Sequence, residues 1–273
     1  MRAFRVLATA AFALHLACAT ARPSTAPGAP LAVRVESQGI AFRVVYRAED
    51  ASEVPRVEAA LLRASGSAVR WGSFRESVTI RVFPDHLSLE EAVDRRGYPW
   101  LRAWAFSNQI LLQSPRTWAA DGAARDAELT ELLTHELTHA LMYQRMQPAA
   151  WTAEEPPLWF REGMASVTAG QGHKRLSADE LRRWTAANPE ANLLRPPADL
   201  YRDQKDAVYG AAHRAFELLL RTSGDDAIRD LLRRAGAGAS FADAFRAATG
   251  HGLAEFEDAA IRGGFGAAGA GGT

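Results

Sequence analysis

The chain has 273 residues, with 32 Lys plus Arg balanced by 32 Asp plus Glu. That balance gives no electrostatic footprint for nucleic acid or for an anionic membrane surface. About half of the residues are apolar (48%) and 23% are charged, as in an ordinary globular protein, and the length suits one large domain or two small ones.

Residues 1–21 read as a targeting signal. Arg2 and Arg5 precede a short apolar run, VLATAAFALHLACA, which is too short to span a bilayer comfortably. Two processing sites fit: the small-x-small stretch Ala19 to Ala21, or a lipoprotein-type signal at Cys18, the chain's one cysteine. Both place the mature protein outside the cytoplasm, the second with a lipid on Cys18 as a membrane attachment. Residues 22–30, RPSTAPGAP, have the composition of a flexible tether, and the glycine-rich 263–273 that of a disordered tail. The folded body is therefore expected at 31–262.

Within it, LAVRVES and IAFRVVYRA alternate and are rich in β-branched residues, which predicts paired strands. EVPRVEAALLRASGSAV has helical spacing at Val57, Leu61 and Leu62. SVTIRVF (77–83) predicts a strand with Val78, Ile80 and Val82 on one face. SLEEAV (88–93) predicts a short helix capped by Ser88, with Glu91 as its capping-box partner. SNQILLQSP (107–115) predicts a strand stopped by Pro115. From about residue 126, with Asp126 as an N-cap, the pattern is almost wholly helical. Strands first and helices later indicate an α+β fold.

The stretch ELLTHELTHALMYQ (131–144) carries His135 and His139 four apart, with Glu136 after the first. Residues four apart on a helix lie about 40° apart around its axis, so both imidazoles can point at one ion. Glu136 sits about 100° from His135, placed to act as a base on a water rather than as a ligand. Leu129, Leu133, Leu137 and Leu141 gather on the opposite side as a core-facing stripe. Hydrolysis at zinc requires three protein ligands and an open position. Glu162, 23 residues after His139 in PPLWFREGMASVTAG, is the candidate third ligand. Pro157 suits the first position of that helix and Gly170 its stop. Trp159, Phe160, Met164 and Val167 around Glu162 imply a buried carboxylate, which needs a partner. His86, His173 and His251 lie in turn-like or glycine-flanked stretches and read as loop residues.

LLTHELTHALM followed by Trp159, Glu162, Gly163 and Ala165 resembles the gluzincin zinc metallopeptidases of the peptidase MA-like family. The resemblance spans most of 35–260. It implies a zincin-like fold: an N-terminal twisted mixed sheet packed on the HExxH helix, then a mainly helical C-terminal half. It implies Zn²⁺ on His135, His139 and Glu162, Glu136 as general base, and a peptide or protein substrate. In similar enzymes a downstream Tyr or His stabilises the oxyanion. Tyr209 is the candidate, with His213 four residues on and Tyr201 as alternatives. The strand at Asn108–Gln113 is the candidate substrate-pairing edge, with an internal strand as its alternative. A non-catalytic envelope protein of the same fold, and a zinc hydrolase of non-peptide amides, are the competing functions.

Overall fold

A computed structural model of the chain describes residues 29–146, 151–152 and 155–262. The signal, Cys18, most of the tether and the 263–273 tail lie outside the described residues. The strands are β1 (Leu31–Ser37), β2 (Ile40–Tyr46), β3 (Val78–Phe83), β4 (Ala103–Ala105) and β5 (Gln109–Gln113). The helices are α1 (Val54–Ala68), α2 (His86–Ala92), α3 (Gly122–Arg145), α4 (Leu158–Thr168), α5 (Ala178–Ala187), α6 (Ala198–Asp203), α7 (Lys205–Gly236), α8 (Phe241–Thr249) and α9 (Leu253–Arg262). α7 is broken at Gly224, whose φ of 76° belongs to the left-handed region that glycine tolerates. No helix among the described residues is long and apolar enough to cross a membrane.

The five strands form one mixed sheet in the order β1-β2-β3-β5-β4. β1 and β2 make an antiparallel hairpin, β2, β3 and β5 run parallel, and β4 closes the edge antiparallel to β5. Alternation places Phe42, Val44, Val78, Ile80, Ile110 and Leu112 on one face, fully buried. That face packs on Val57 and Leu61 of α1 and on Leu129, Leu133 and Leu137 of α3. A second core joins Trp159, Phe160 and Met164 of α4 to Phe216 of α7, Phe245 of α8 and Phe256 of α9. The architecture is α+β, as expected.

α3 belongs to both cores. Each step of four residues rotates the leucine stripe about 40°, so Leu141 lies about 120° from Leu129. Leu129, Leu133 and Leu137 therefore enter the sheet core, while Leu141 and Met142 enter the helical one. The HELTH segment falls at the junction. Its buried threonines do not break the helix: Thr134 and Thr138 satisfy their hydroxyls on the carbonyls of Thr130 and Thr134, at 2.7 and 2.8 Å. Gln144 anchors the end of α3, accepting from the Arg75 and Glu76 amides and donating to the Glu76 and Ser107 carbonyls.

Several local expectations are corrected. α2 begins at His86, so this histidine opens a helix rather than sitting in a turn. Asp85 caps α2 by accepting from the Ser88 amide at 2.8 Å, and Glu91 faces Arg96 instead of closing a box with Ser88. A capping box occurs at Ser177 and Glu180 of α5. α3 starts four residues before Asp126, which pairs instead with Arg56. Pro157 occupies the N-cap, one position outside α4. Leu62 is 50% exposed, whereas Val57 and Leu61 lie on the packed face of α1 with Ala60 and Ala64. The Asn108–Gln113 segment is an internal strand, paired on both sides, and the edge belongs to β4, which the alternation of so short a strand does not reveal.

Candidate metal centre

His135 and His139 project from successive turns of α3, and Glu162 comes back to them from α4. All three are buried, at 5 to 6% exposure. The two Nε2 atoms lie 3.1 Å apart. Oε2 of Glu162 is 3.2 Å from the first and 3.5 Å from the second. The pair expected four apart, and the carboxylate expected 23 residues on, thus converge, with one potential ligand atom from each within 4.8 Å of the others.

The donor set fits a divalent cation. Three lone-pair atoms pointed at a common point repel unless a proton or a cation lies between them. Ligands at about 2.0–2.1 Å in a tetrahedron stand about 3.3 Å from one another, close to the spacings found here. Two imidazole nitrogens and one carboxylate oxygen are a donor set suited to zinc, with a fourth position left open. The Glu162 carboxyl is held well below the usual range. Burial opposes its charge, but the charge of His139 first, and then the hydrogen bonds that the two imidazoles make when protonated, outweigh that penalty.

Neighbouring groups orient the ligands. Gln171, buried in the loop after α4, places Oε1 3.2 Å from His135 Nδ1, and its Nε2 donates to Glu131 at 2.8 Å. The Glu131 carboxylate can only accept, so it fixes which way the Gln171 amide points. His135 Nδ1 then carries the proton, leaving Nε2 with a lone pair toward Glu162. His139 stacks on Tyr143 at 6.1 Å, and its Nδ1 has no hydrogen-bond partner among the described residues. Gln171 carries no sequence signal. It stands in a glycine-flanked loop, and only the fold brings it to His135.

Glu136, turned about 100° from His135 around α3, lines the same cavity toward the β4 edge, with the Ala105 amide near its carboxylate. Ala103 and Ala105 occupy non-hydrogen-bonded sites of the β4–β5 ladder, so their amides and carbonyls face away from β5. Burial pushes the Glu136 carboxyl up to about 7; the charge of His135 opposes this and that of Glu162 adds to it. This is the range suited to a general base.

The centre opens on a cavity of about 830 Å³ between the β4 edge and the helices α3, α4, α6 and α7. Tyr209 lines it, stacked on His135 at 6.0 Å, with its hydroxyl 3.1 Å from that of Tyr201. Tyr201 also lines the cavity, and Trp100 packs edge-on against both phenols. Burial, then the charge of Glu162, raises both phenols well above their usual range, so they stay neutral donors. His213 does not share this cleft. It is buried behind α4, bonded to the Ser166 hydroxyl at 2.8 Å and 3.6 Å from Glu217. The step from Tyr209 to His213 turns the side chain about 40°, into the α4–α7 interface. His86, His173 and His251 each face a glutamate away from the centre.

No protein-family model and no curated protein matches the chain. Among solved structures, the fold is similar to an aminopeptidase N family protein from Idiomarina loihiensis, at 15% identity and a TM-score of 0.50, over 78% of this chain and 42% of that one. It is also similar to Legionella pneumophila aminopeptidase A in complex with aspartic acid, at 13% identity and a TM-score of 0.54, over 84% of this chain and 27% of that one. The chain spans less than half the length of either, and the likeness is one of fold.

Proposed function

We propose that the chain is a zinc-dependent metallopeptidase of the gluzincin type, acting outside the cytoplasm. The observation that carries this reading is the convergence of His135, His139 and Glu162 with a carboxylate, Glu136, beside them on the cleft. Zinc held by the three ligands supplies Lewis acidity, which acidifies a water and polarises a carbonyl. Glu136 accepts the proton of the attacking water on its carboxylate and returns it to the leaving nitrogen. Tyr209, kept neutral by burial, donates a hydrogen bond to the oxygen on which charge develops. The outward amide and carbonyl of Ala103 offer an extended substrate main-chain pairing along β4, a role that β5 cannot fill. The extracytoplasmic location, and a lipid on Cys18, rest on the sequence of residues 1–21; fractionating cells that express the full chain, with and without Cys18→Ser, checks both.

Metal content tests the site directly. The purified protein is expected to bind one zinc. At free zinc a thousand times Kd, binding stabilises the fold by roughly 4 kcal/mol. For a body of this size that corresponds to a rise in Tm of roughly 10 °C over the chelator-treated protein. Glu162→Ala and His139→Ala are expected to abolish both the stoichiometric zinc and the Tm response. An unchanged zinc content in Glu162→Ala would remove Glu162 from the ligand set.

Tyr209→Phe is expected to lower kcat roughly 10- to 1000-fold while zinc content and KM stay near those of the unmodified protein, as befits a donor used mainly in the transition state. An effect confined to KM would make Tyr209 part of the cleft wall only.

A further inference from the structure

Arg161 is the residue before Glu162 on α4, and it lines the same cavity. The cavity has six basic residues, five of which have compensating neighbours. Arg102 pairs with Glu128, Lys174 with Glu131, and Arg195 with Glu257. Lys205 sits 3.6 Å from Asp206, and Arg95 lies over the ring of Trp104 at 5.2 Å. Arg161 faces no carboxylate among the described residues. Its guanidinium lies near the Tyr143 hydroxyl, and its Nε is buried with no hydrogen-bond partner among the described residues. Arg161 lines the cavity together with Tyr143 of α3 and Tyr201 of α6, which places it on the cleft between these helices.

Arg161 is half-buried, and its buried Nε without an acceptor is unfavourable, a deficit that an arriving carboxylate would relieve. The planar fork of arginine matches a carboxylate in a two-bond geometry. The acidic lining shows the converse. Glu136 and Glu162 are committed to the centre, and the Asp206 side chain is 92% exposed beside Lys205. Among the described lining residues, a substrate ammonium therefore finds no free buried carboxylate, whereas a substrate carboxylate finds Arg161.

We propose that Arg161 is the specificity-determining receptor of this cleft for a carboxylate on the substrate, supplied by a peptide C-terminus or by an Asp or Glu side chain close to the scissile bond. This rests on the peptidase reading of the same centre, but its test reads binding as well as cleavage. Zinc-loaded Glu136→Gln serves as the host for calorimetry with three N-acetylated peptides of one sequence. The first has neutral side chains and a free C-terminus, the second a C-terminal amide and one Glu, and the third a C-terminal amide with Gln in place of that Glu. One of the first two is expected to bind roughly ten- to hundred-fold more tightly than the neutral third, the size of a charge-assisted hydrogen bond. Which one does so identifies the source of the carboxylate.

Adding Arg161→Gln is expected to abolish that preference, and Arg161→Lys to keep part of it, with zinc content and Tm confirming that both variants are folded. Should Arg161→Gln not fold, Arg161→Lys decides, since charge without the fork is expected to reduce the preference severalfold. Equal binding of the three peptides, no binding of any, or a preference untouched by these substitutions overturns the proposal. Cleavage of peptides by the unmodified chain without carboxylate preference removes the role of Arg161 and leaves the peptidase standing. Carboxylate-selective binding without cleavage does the reverse.

Discussion

Glu136→Gln is expected to retain its zinc and to lose roughly 10²- to 10⁴-fold in kcat, the usual contribution of a positioned general base. The change is nearly isosteric. The amide oxygen of Gln can still face the nearby Ala105 amide, so the contact with the β4 edge is preserved. What disappears is the ability to take a proton. Glu136 is turned about 100° from His135 around α3, so the ligand set does not depend on it. Metal analysis and kinetics on one preparation separate the two roles. Zinc near one equivalent with turnover abolished supports the base. Turnover within tenfold of the unmodified protein would falsify it, and loss of zinc would make Glu136 a ligand.

The centre is legible in the sequence because it is built from helical periodicity. The spacing of His135 and His139, the offset of Glu136 and the opposing leucines all follow from 3.6 residues per turn. Glu162 is legible because a glutamate among Trp159, Phe160 and Met164 must be buried, and a buried carboxylate needs a partner. Other parts depend on tertiary placement. Three-residue β4 is too short to show alternation, so the resemblance to zincins puts the candidate sheet edge on its neighbour, β5, with an internal strand as the alternative. Burial on both faces is itself a mark of an internal strand, and Leu111 and Leu112 lie on opposite faces of β5, both buried. Tyr209 and His213 share a helix, but which of them meets the cleft depends on the angle at which α7 crosses α4. Gln171 enters only through the path of its loop. The cap of α2 lies three residues before Ser88 because Asp85 competes with that serine for the same role.

That crossing angle depends on Gly163, and Gly163→Ala is expected to damage the fold and the metal site together. A methyl group there would stand 2.7 Å from Phe216 Cβ and closer still to the Ala212 carbonyl oxygen. Neither neighbour can swing away, since one is backbone and the other a Cβ on the same helix, so α4 must shift as a body. Helix propensity alone argues for the opposite result, because alanine improves on a mid-helix glycine by about 1 kcal/mol. Gly66 in α1 isolates that effect. It is exposed, and a methyl there meets nothing nearer than 3.9 Å, so Gly66→Ala is expected to raise stability by roughly 0.5–1 kcal/mol. Overpacking at Gly163 is expected to cost about 1–3 kcal/mol net, a Tm lower by several degrees. Glu162 adjoins Gly163, so a displaced α4 carries the carboxylate away from the imidazoles and weakens zinc binding as well. Denaturant melts and zinc titrations of the two variants distinguish these effects by their sign. A stabilised Gly163→Ala with unaltered zinc affinity would mean that the α4–α7 contact is loose and does not hold Glu162 in place.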